Sequence, residues 1–447
     1  MTPRRHALCL AAIFLAALGL RLGMAEAFVG LSAPPDAHAN SDQVDYEAFA
    51  HQLARGAGYT LEDGTPTARR PPGTSFVLAP VYAAAGRDWA AGRVWFALLS
   101  AATCVLVGMA GTLAFGPIAG LIAAALLALL PEHAYYAAHF LSETPAAFFA
   151  AGATALTLLA LRKPNLTLHL AAGLCWAAAI YCRPQTLLAV PLVGVVALYP
   201  YLREHYRPNH RHRERRLRNR RACVHAFAVQ AAVVGLAIAP WFARNAVVMD
   251  KATFSTVAGR TFWGAHNDQT FTDPTLMGDW VPTSTLPGSA DLPRDEVAHD
   301  GAAMQAGVAA VSRHRAKLPE MTLRKVGRAL NPVRATPNRL VRIVFSASGL
   351  IVLPLAVVGV ILARRRREST AMVVVAVPLI AFAMTTLLFY GSPRFRDAAA
   401  PAYALLAALP LAALVERAVA RRAETTTHVG PQTEPIGVIQ PAHRRAA

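Results

Sequence analysis

Charge is what this sequence has least of. Only 16% of its 447 residues are charged while 55% are hydrophobic, and acids are the scarcer sign, 26 against 44 lysines and arginines. So little charge excludes a chain kept unfolded by its own repulsion and a soluble domain with an ordinary surface. Cysteine is sparse as well: Cys9, Cys104, Cys175, Cys182 and Cys223 all fall within or beside apolar runs, so no disulfide framework is indicated for the loops. Also missing are an internal repeat, a soluble stretch of domain size, a P-loop, a dinucleotide fingerprint and a nucleophile elbow.

What is present is a series of apolar runs near 7–24, 94–115, 117–134, 144–161, 167–181, 184–201, 223–243, 343–363, 371–390 and 399–416. A helix needs about 20 apolar residues to cross a bilayer. The expected fold is therefore an all-α polytopic membrane protein of about 10 spans. The net charge of +18 would suggest nucleic acid in a soluble protein, but much of it sits in short clusters between the runs: Arg4 and Arg5, 211–221, Arg364 to Arg367, and Arg417, Arg421 and Arg422. Cytoplasmic loops collect such clusters, and ten crossings starting inside place all of them there. The first run also has features of a secretory signal, with MTPRRH before it and Ala25-Glu26-Ala27 after it. Either reading leaves the following residues outside.

The segment FVLAPVYAAAG (76–86) is too short to span and is expected to be re-entrant or interfacial. Outer segments 25–93 and 246–342 are long enough to do chemistry, joined by 135–143, 182–183 and 391–398. Residues 1–422 form the expected membrane domain, followed by a polar, disordered tail from 423.

In SDQVDYEAFAHQLARGAGYT, the residues Tyr46, Phe49, Ala50 and Leu53 share one helical face, predicting a short helix over 42–55 that lies on the membrane surface and ends at Gly56 and Gly58. Ser41 or Asp42 is its expected N-cap, and Asp45 suits the positive end of the helix dipole. By this reading the two acids only start a helix. What argues for more is the next stretch, where Arg69, Arg70 and a Pro71-Pro72-Gly73 turn lead into the half-length apolar segment. A carboxylate pair, a cationic pair and a membrane dip are then close in sequence.

Here the chain resembles the GT-C glycosyltransferases, in particular bacterial relatives of protein O-mannosyltransferases and of the lipid A aminoarabinose transferase. The resemblance lies in Asp42 followed by Tyr46, in Gly56-Ala57-Gly58-Tyr59 and in Pro71-Pro72. It continues in LSETPAAFFA with Glu143, in Cys182-Arg183-Pro184, in Pro240-Trp241 through Arg244-Asn245, in GRTFWGAHNDQTF with Asn267, and in SPRFRD with Arg394 and Arg396.

The resemblance implies an inverting transfer of a sugar from a polyprenyl-phosphate donor to a lipid, glycan or protein acceptor on the extracytoplasmic face of the cell membrane. Asp42 carries over as general base and Glu143 as the second catalytic acid. Asp45, Tyr46, Arg69, Arg70, Arg183, Arg244, Asn267, Arg394 and Arg396 are the candidate substrate-binding residues. Many relatives carry an acid where this chain has Gln43, leaving open whether Asp45 takes over that role. No cofactor is required and a divalent cation is optional; His139 and Glu132-His133 lie near Glu143, without tight ligand spacing.

Taken singly, each residue has a plainer use. Glu143 suits a helix start and an interfacial arginine anchors a span. The basic segment 312–332, with Leu318, Met321 and Val326 on lipid, suits adhesion to anionic headgroups. Two other functions fit the hydropathy: a transporter or lipid flippase, which would place acids inside the spans, and a ligase or polymerase using a diphosphate-linked glycan. The absence of a nucleotide-binding motif weighs against a nucleotide sugar as the direct donor.

Overall fold

The computed structural model describes residues 1–37, 40–163, 165–187, 213–333, 338–365 and 369–427. Among them the secondary structure is helical, with one isolated bridge between Thr60 and Pro66. Seven helices are long and apolar enough to cross a membrane, and shorter apolar helices stand between them. The chain is an integral membrane protein of the all-α polytopic kind.

The long helices are α1 (Pro3–Phe28), α4 (Trp89–Phe115), α7 (Glu143–Arg162), α9 (Arg213–Val248), α14 (Arg339–Arg365), α15 (Ser369–Leu388) and α17 (Ala400–Thr427). The runs expected at 117–134 and 167–181 are α5 (Pro117–Leu129) and α8 (Leu166–Cys182), of 13 and 17 residues. Pro131 breaks α5 off before the expected end and starts the short helix α6 (Pro131–Tyr136). Most of the run at 184–201 lies outside the described residues, as do parts of the arginine clusters at 211–221 and 364–367. Helix α17 continues to Thr427, into the segment expected to be tail; residues 428–447 lie outside the described residues.

Small residues let the core helices approach closely. Gly108 and Gly111 on α4 face Gly120 on α5, where a Cβ would fall 2.7 Å from the Thr112 backbone nitrogen. Arg21 on α1 is fully buried, and its guanidinium donates to Ser100 Oγ at 2.7 Å and to the Leu127 and Ala128 carbonyls at 3.3 and 3.1 Å. It thereby caps the C-terminus of α5, where a cation belongs.

Helix α2 (Ser41–Ala54) begins after Asn40, which makes no side-chain cap bond. The expected capping by Ser41 or Asp42 does not occur. Its apolar face is also occupied differently: Ala50 packs with Leu78 and Tyr82 of α3 (Gly73–Ala85), and Phe49 packs with Tyr59 and Trp241. That face is covered by protein rather than left for lipid. Helix α3 has 13 residues, roughly 20 Å at the α-helical rise, too short to span. It seats against α8, because Gly73 leaves no room for a Cβ beside the Tyr181–Cys182 backbone.

The connection between α9 and α14 folds into α10 (Ala258–Ala265), α11 (Asp268–Thr272), α12 (Glu296–Arg313) and α13 (Leu318–Leu330). Met321 is 1% exposed in a cluster with Phe271, Met277 and Ala310, and Leu318 packs beside it. Two of the three side chains expected on lipid thus close a small local core. Val326 is exposed.

Candidate active site

Five stretches separated in sequence meet at one end of the bundle: the start of α2, the loop before α3, the α6–α7 junction, the end of α8, and α16 (Pro393–Ala398). They bring together a chain of seven charged side chains of alternating sign. Arg69 lies 3.5 Å from Asp45, and Arg70 binds Asp45 at 2.8 Å and Asp42 at 2.9 Å. Asp42 receives Arg394 at 2.8 Å; Arg394 also pairs with Glu143, which accepts Arg183 at 3.0 Å.

Local structure fixes each member. Asp42 and Asp45 are one turn apart on α2, so both carboxylates reach Arg70. Glu143 is the first residue of α7 and only 2% exposed. Arg183 follows α8 as its C-cap residue, donates to Ser142 Oγ at 3.1 Å, and lies over the Phe395 ring at 5.8 Å. Ser392 caps α16 through the Arg394 amide and so orients the central arginine.

The electrostatics follow from this alternation. Burial raises the Asp42 pKa, but Arg394 and then Arg70 outweigh it and hold the carboxyl below its ordinary range. Burial also works against the charge on Arg394, and Glu143 and Asp42 more than compensate. The Tyr46 phenol is pushed up to about 12, by burial first and by Asp42 second, so it remains a donor. Tyr390, which no sequence motif singled out, feels the charges of Arg394, Asp42, Arg183 and Glu143. Its one signal is position: it is an aromatic just beyond the end of a span and four residues before Arg394.

Other candidates are placed elsewhere. Arg244 donates to the Thr67 and Tyr59 carbonyls at 2.8 and 2.9 Å and stacks on Trp241, latching the first loop to α9. Asn267 is buried, caps α11 through the Thr270 amide and donates to the Trp263 and Gly264 carbonyls. Arg396 turns away from Arg394 and donates to the Asn331 carbonyl at 3.1 Å. None of the three reaches the acidic cluster through these contacts.

Gln43 is buried and stands outside the charged chain, with its amide on the Asp36 carbonyl at 2.8 Å and on His139 Nδ1 at 3.2 Å. Asp45 is the second acid that faces arginine. His139 Nε2 is buried without a hydrogen-bond partner, and Glu132 accepts from Ser348. Among the described residues no three His, Cys, Asp or Glu side chains converge as metal ligands.

Arg396 also lines an apolar cavity of about 460 Å³ between α14, α15 and α17, with Leu350, Leu353, Val357, Phe382 and Leu406 among others. Helix α16 therefore has Arg394 in the ion-pair chain and Arg396 at an apolar recess, two residues apart.

Residues 69–213 match the family model for dolichyl-phosphate-mannose-protein mannosyltransferases, just under a third of the chain. No curated protein matches significantly. Among solved structures, the oligosaccharyltransferase of Archaeoglobus fulgidus in the apo form aligns with a TM-score of 0.55 at 16% identity, over 96% of this chain and 52% of that one. The same organism's enzyme AglB, in complex with an inhibitory peptide and a dolichol-phosphate, gives 0.52 at 14% identity over the same shares. The undecaprenyl-phosphate-bound ArnT from Cupriavidus metallidurans gives 0.42 at 16% identity, over 91% and 78%. This chain spans about half the length of the oligosaccharyltransferase structures and shares their fold. The resemblance read from the first loop thus holds in a matched stretch of sequence and in the architecture of the chain.

Proposed function

We propose that this relative of the GT-C membrane glycosyltransferases transfers a sugar from a polyprenyl-phosphate donor to an acceptor hydroxyl, at the extracytoplasmic face of the cell membrane. The observation that carries the proposal is the alternating chain of Arg69, Asp45, Arg70, Asp42, Arg394, Glu143 and Arg183. Transfer from a lipid phosphate needs a carboxylate to take the acceptor proton and cations to hold the departing phosphate. The chain supplies both within one cluster.

Asp42 is the proposed base. Its pKa keeps it ionised at neutral pH, and Arg70 and Arg394 hold its two oxygens. Arg394, Arg70 and Arg69 would receive the phosphate, forked guanidinium groups being suited to phosphate oxygens. Arg69 is the most open, with its side chain 41% exposed. Glu143, bound by Arg183 and Arg394, fixes the central arginine from behind. A phosphate reaching Arg394 competes with Asp42 for the same guanidinium, so donor binding would free the base as it delivers the sugar. The step is direct displacement with inversion: the acceptor oxygen bonds the anomeric carbon, the carbon–phosphate oxygen bond breaks, Asp42 takes the acceptor proton, and polyprenyl phosphate leaves.

The prenyl chain is assigned to the apolar cavity lined by Arg396, on the same short helix as Arg394. Sugar and acceptor are assigned no further than a sugar and a hydroxyl.

The test is transfer from radiolabelled polyprenyl-phosphate sugars in membranes. Asp42→Asn should lose about 10²- to 10⁴-fold in rate at normal folded yield, the usual worth of a positioned base, while Asp45→Asn loses less. Normal transfer by Asp42→Asn would sink the assignment of the base; a wild-type protein that consumes no such donor would sink the function.

A further inference from the structure

Arg394 is the pivot of the site, yet α16 has only six residues and cannot hold itself in place. Its support comes from the connection between α9 and α14. The Lys325 backbone on α13 is wedged between two glycines: a Cβ at Gly391 would collide with the Lys325 carbonyl, and one at Gly278 would fall 2.8 Å from its amide nitrogen. Gly391 N–H donates to the Gly278 carbonyl at 2.8 Å, closing the contact. Farther along, the carbonyl of Asn331, the residue following α13, accepts Arg396 at 3.1 Å. Helix α13 and its end therefore grip the chain on both sides of Arg394.

The Lys325 side chain completes this grip. Only 2% exposed, it donates to His266 Nε2 at 2.8 Å and to the Leu387 carbonyl at 3.3 Å. Leu387 lies in the last turn of α15, where a cation meets carbonyls without helical partners. His266 Nδ1 faces the Phe262 carbonyl at 3.0 Å, which makes Nε2 the acceptor. A buried amine without a carboxylate partner among these contacts is costly to retain for packing alone.

We propose that Lys325 is a positioning residue for Arg394: through the Leu387 carbonyl and Gly391 it fixes the 388–396 segment so that the guanidinium is held beside Asp42, where the donor phosphate takes it over. This rests on the function proposed above. Lys325 touches neither substrate nor Asp42 in this arrangement, and its effect is on donor binding.

The test compares wild type with Lys325→Met and Lys325→Arg by amide hydrogen exchange and by donor kinetics. Loss of a buried charged donor should speed exchange over 388–396 about tenfold in Lys325→Met. It should raise the donor KM by about tenfold with kcat changed less than about threefold. Lys325→Arg, which restores a cation, should recover both. Unchanged protection of 388–396 in folded Lys325→Met overturns the proposal. So does an equal fall in kcat and kcat/KM that Lys325→Arg does not recover. If Lys325→Met fails to accumulate, Gly391→Ala carries the same measurements, since its methyl breaks the contact from the other side. A wild-type protein inactive on the donor removes the function, while the exchange data still decide whether Lys325 holds the segment.

Discussion

Glu143 shows how a residue with a plain local use acquires a second one. Its sequence setting, Ser-Glu-Thr-Pro, is a good helix start, and it does begin α7. Yet its carboxylate is buried against Arg183 and Arg394, an arrangement that punishes removal of one partner. Glu143→Gln should cost roughly 3–5 kcal/mol, read as a lowered midpoint of thermal unfolding in detergent; a change confined to activity would mean the pair adds nothing to the fold. Asp42 gives a pH signature. Its folded pKa lies below the unfolded value, so the unfolded chain takes up the proton first as pH falls. The stabilisation is complete above the ordinary carboxylate value of about 3.9 and fades as pH drops through the folded pKa. The stability gap between wild type and Asp42→Asn should accordingly narrow below about pH 4, in a urea titration series. The motif singled out Asp42 as a candidate and gave no sign of Tyr390, since a lone aromatic at a span end usually marks only the membrane interface.

Among the helices, Gly116 and Pro131 mark ends while Pro80, Pro240, Pro354, Pro378 and Pro410 lie inside helices, and faces did not always follow hydropathy. Helix α2 has the expected apolar stripe, but α3 and Trp241 cover it. A stripe records that something apolar is needed and leaves open whether lipid or protein supplies it. The α4–α5 pair depends on the absence of side chains instead. Gly120→Ala would drive a methyl into the Gly108 carbonyl and the Thr112 amide, and overpacking of this kind costs about 1–3 kcal/mol. A lowered thermal midpoint checks this, with Gly116→Ala as a contrast, where the strain comes from a φ of +102° and no atom lies near.

At the scale of the whole molecule, clusters of arginine stand in short connections between apolar runs. The site, α10 to α13 and α16 share one end of the bundle. At the other, His6, beside Arg4 and Arg5 in the sequence, meets Thr112 at 3.1 Å and Arg162 donates to the Leu113 carbonyl. The charge bias predicts that this second end faces the cytoplasm. A single cysteine at exposed Ser284, in a background lacking the native cysteines, should react with a membrane-impermeant maleimide added to intact cells, and one at Arg364 only after permeabilisation; the reverse pattern would invert the topology. The long apolar helices and the half-length apolar segment before α4 were legible in the sequence, because bilayer thickness and local periodicity act on contiguous residues, while Asp42, Arg70 and Arg394 were singled out as candidates by a resemblance. Which arginines meet which acids was decided only by tertiary structure. Arg244, Arg394 and Arg396 look alike in sequence, but helix packing turns one to backbone carbonyls, one to Asp42 and Glu143, and one to Asn331. Pairing across 352 positions, as between Asp42 and Arg394, depends on how helices stack, and no local pattern records that.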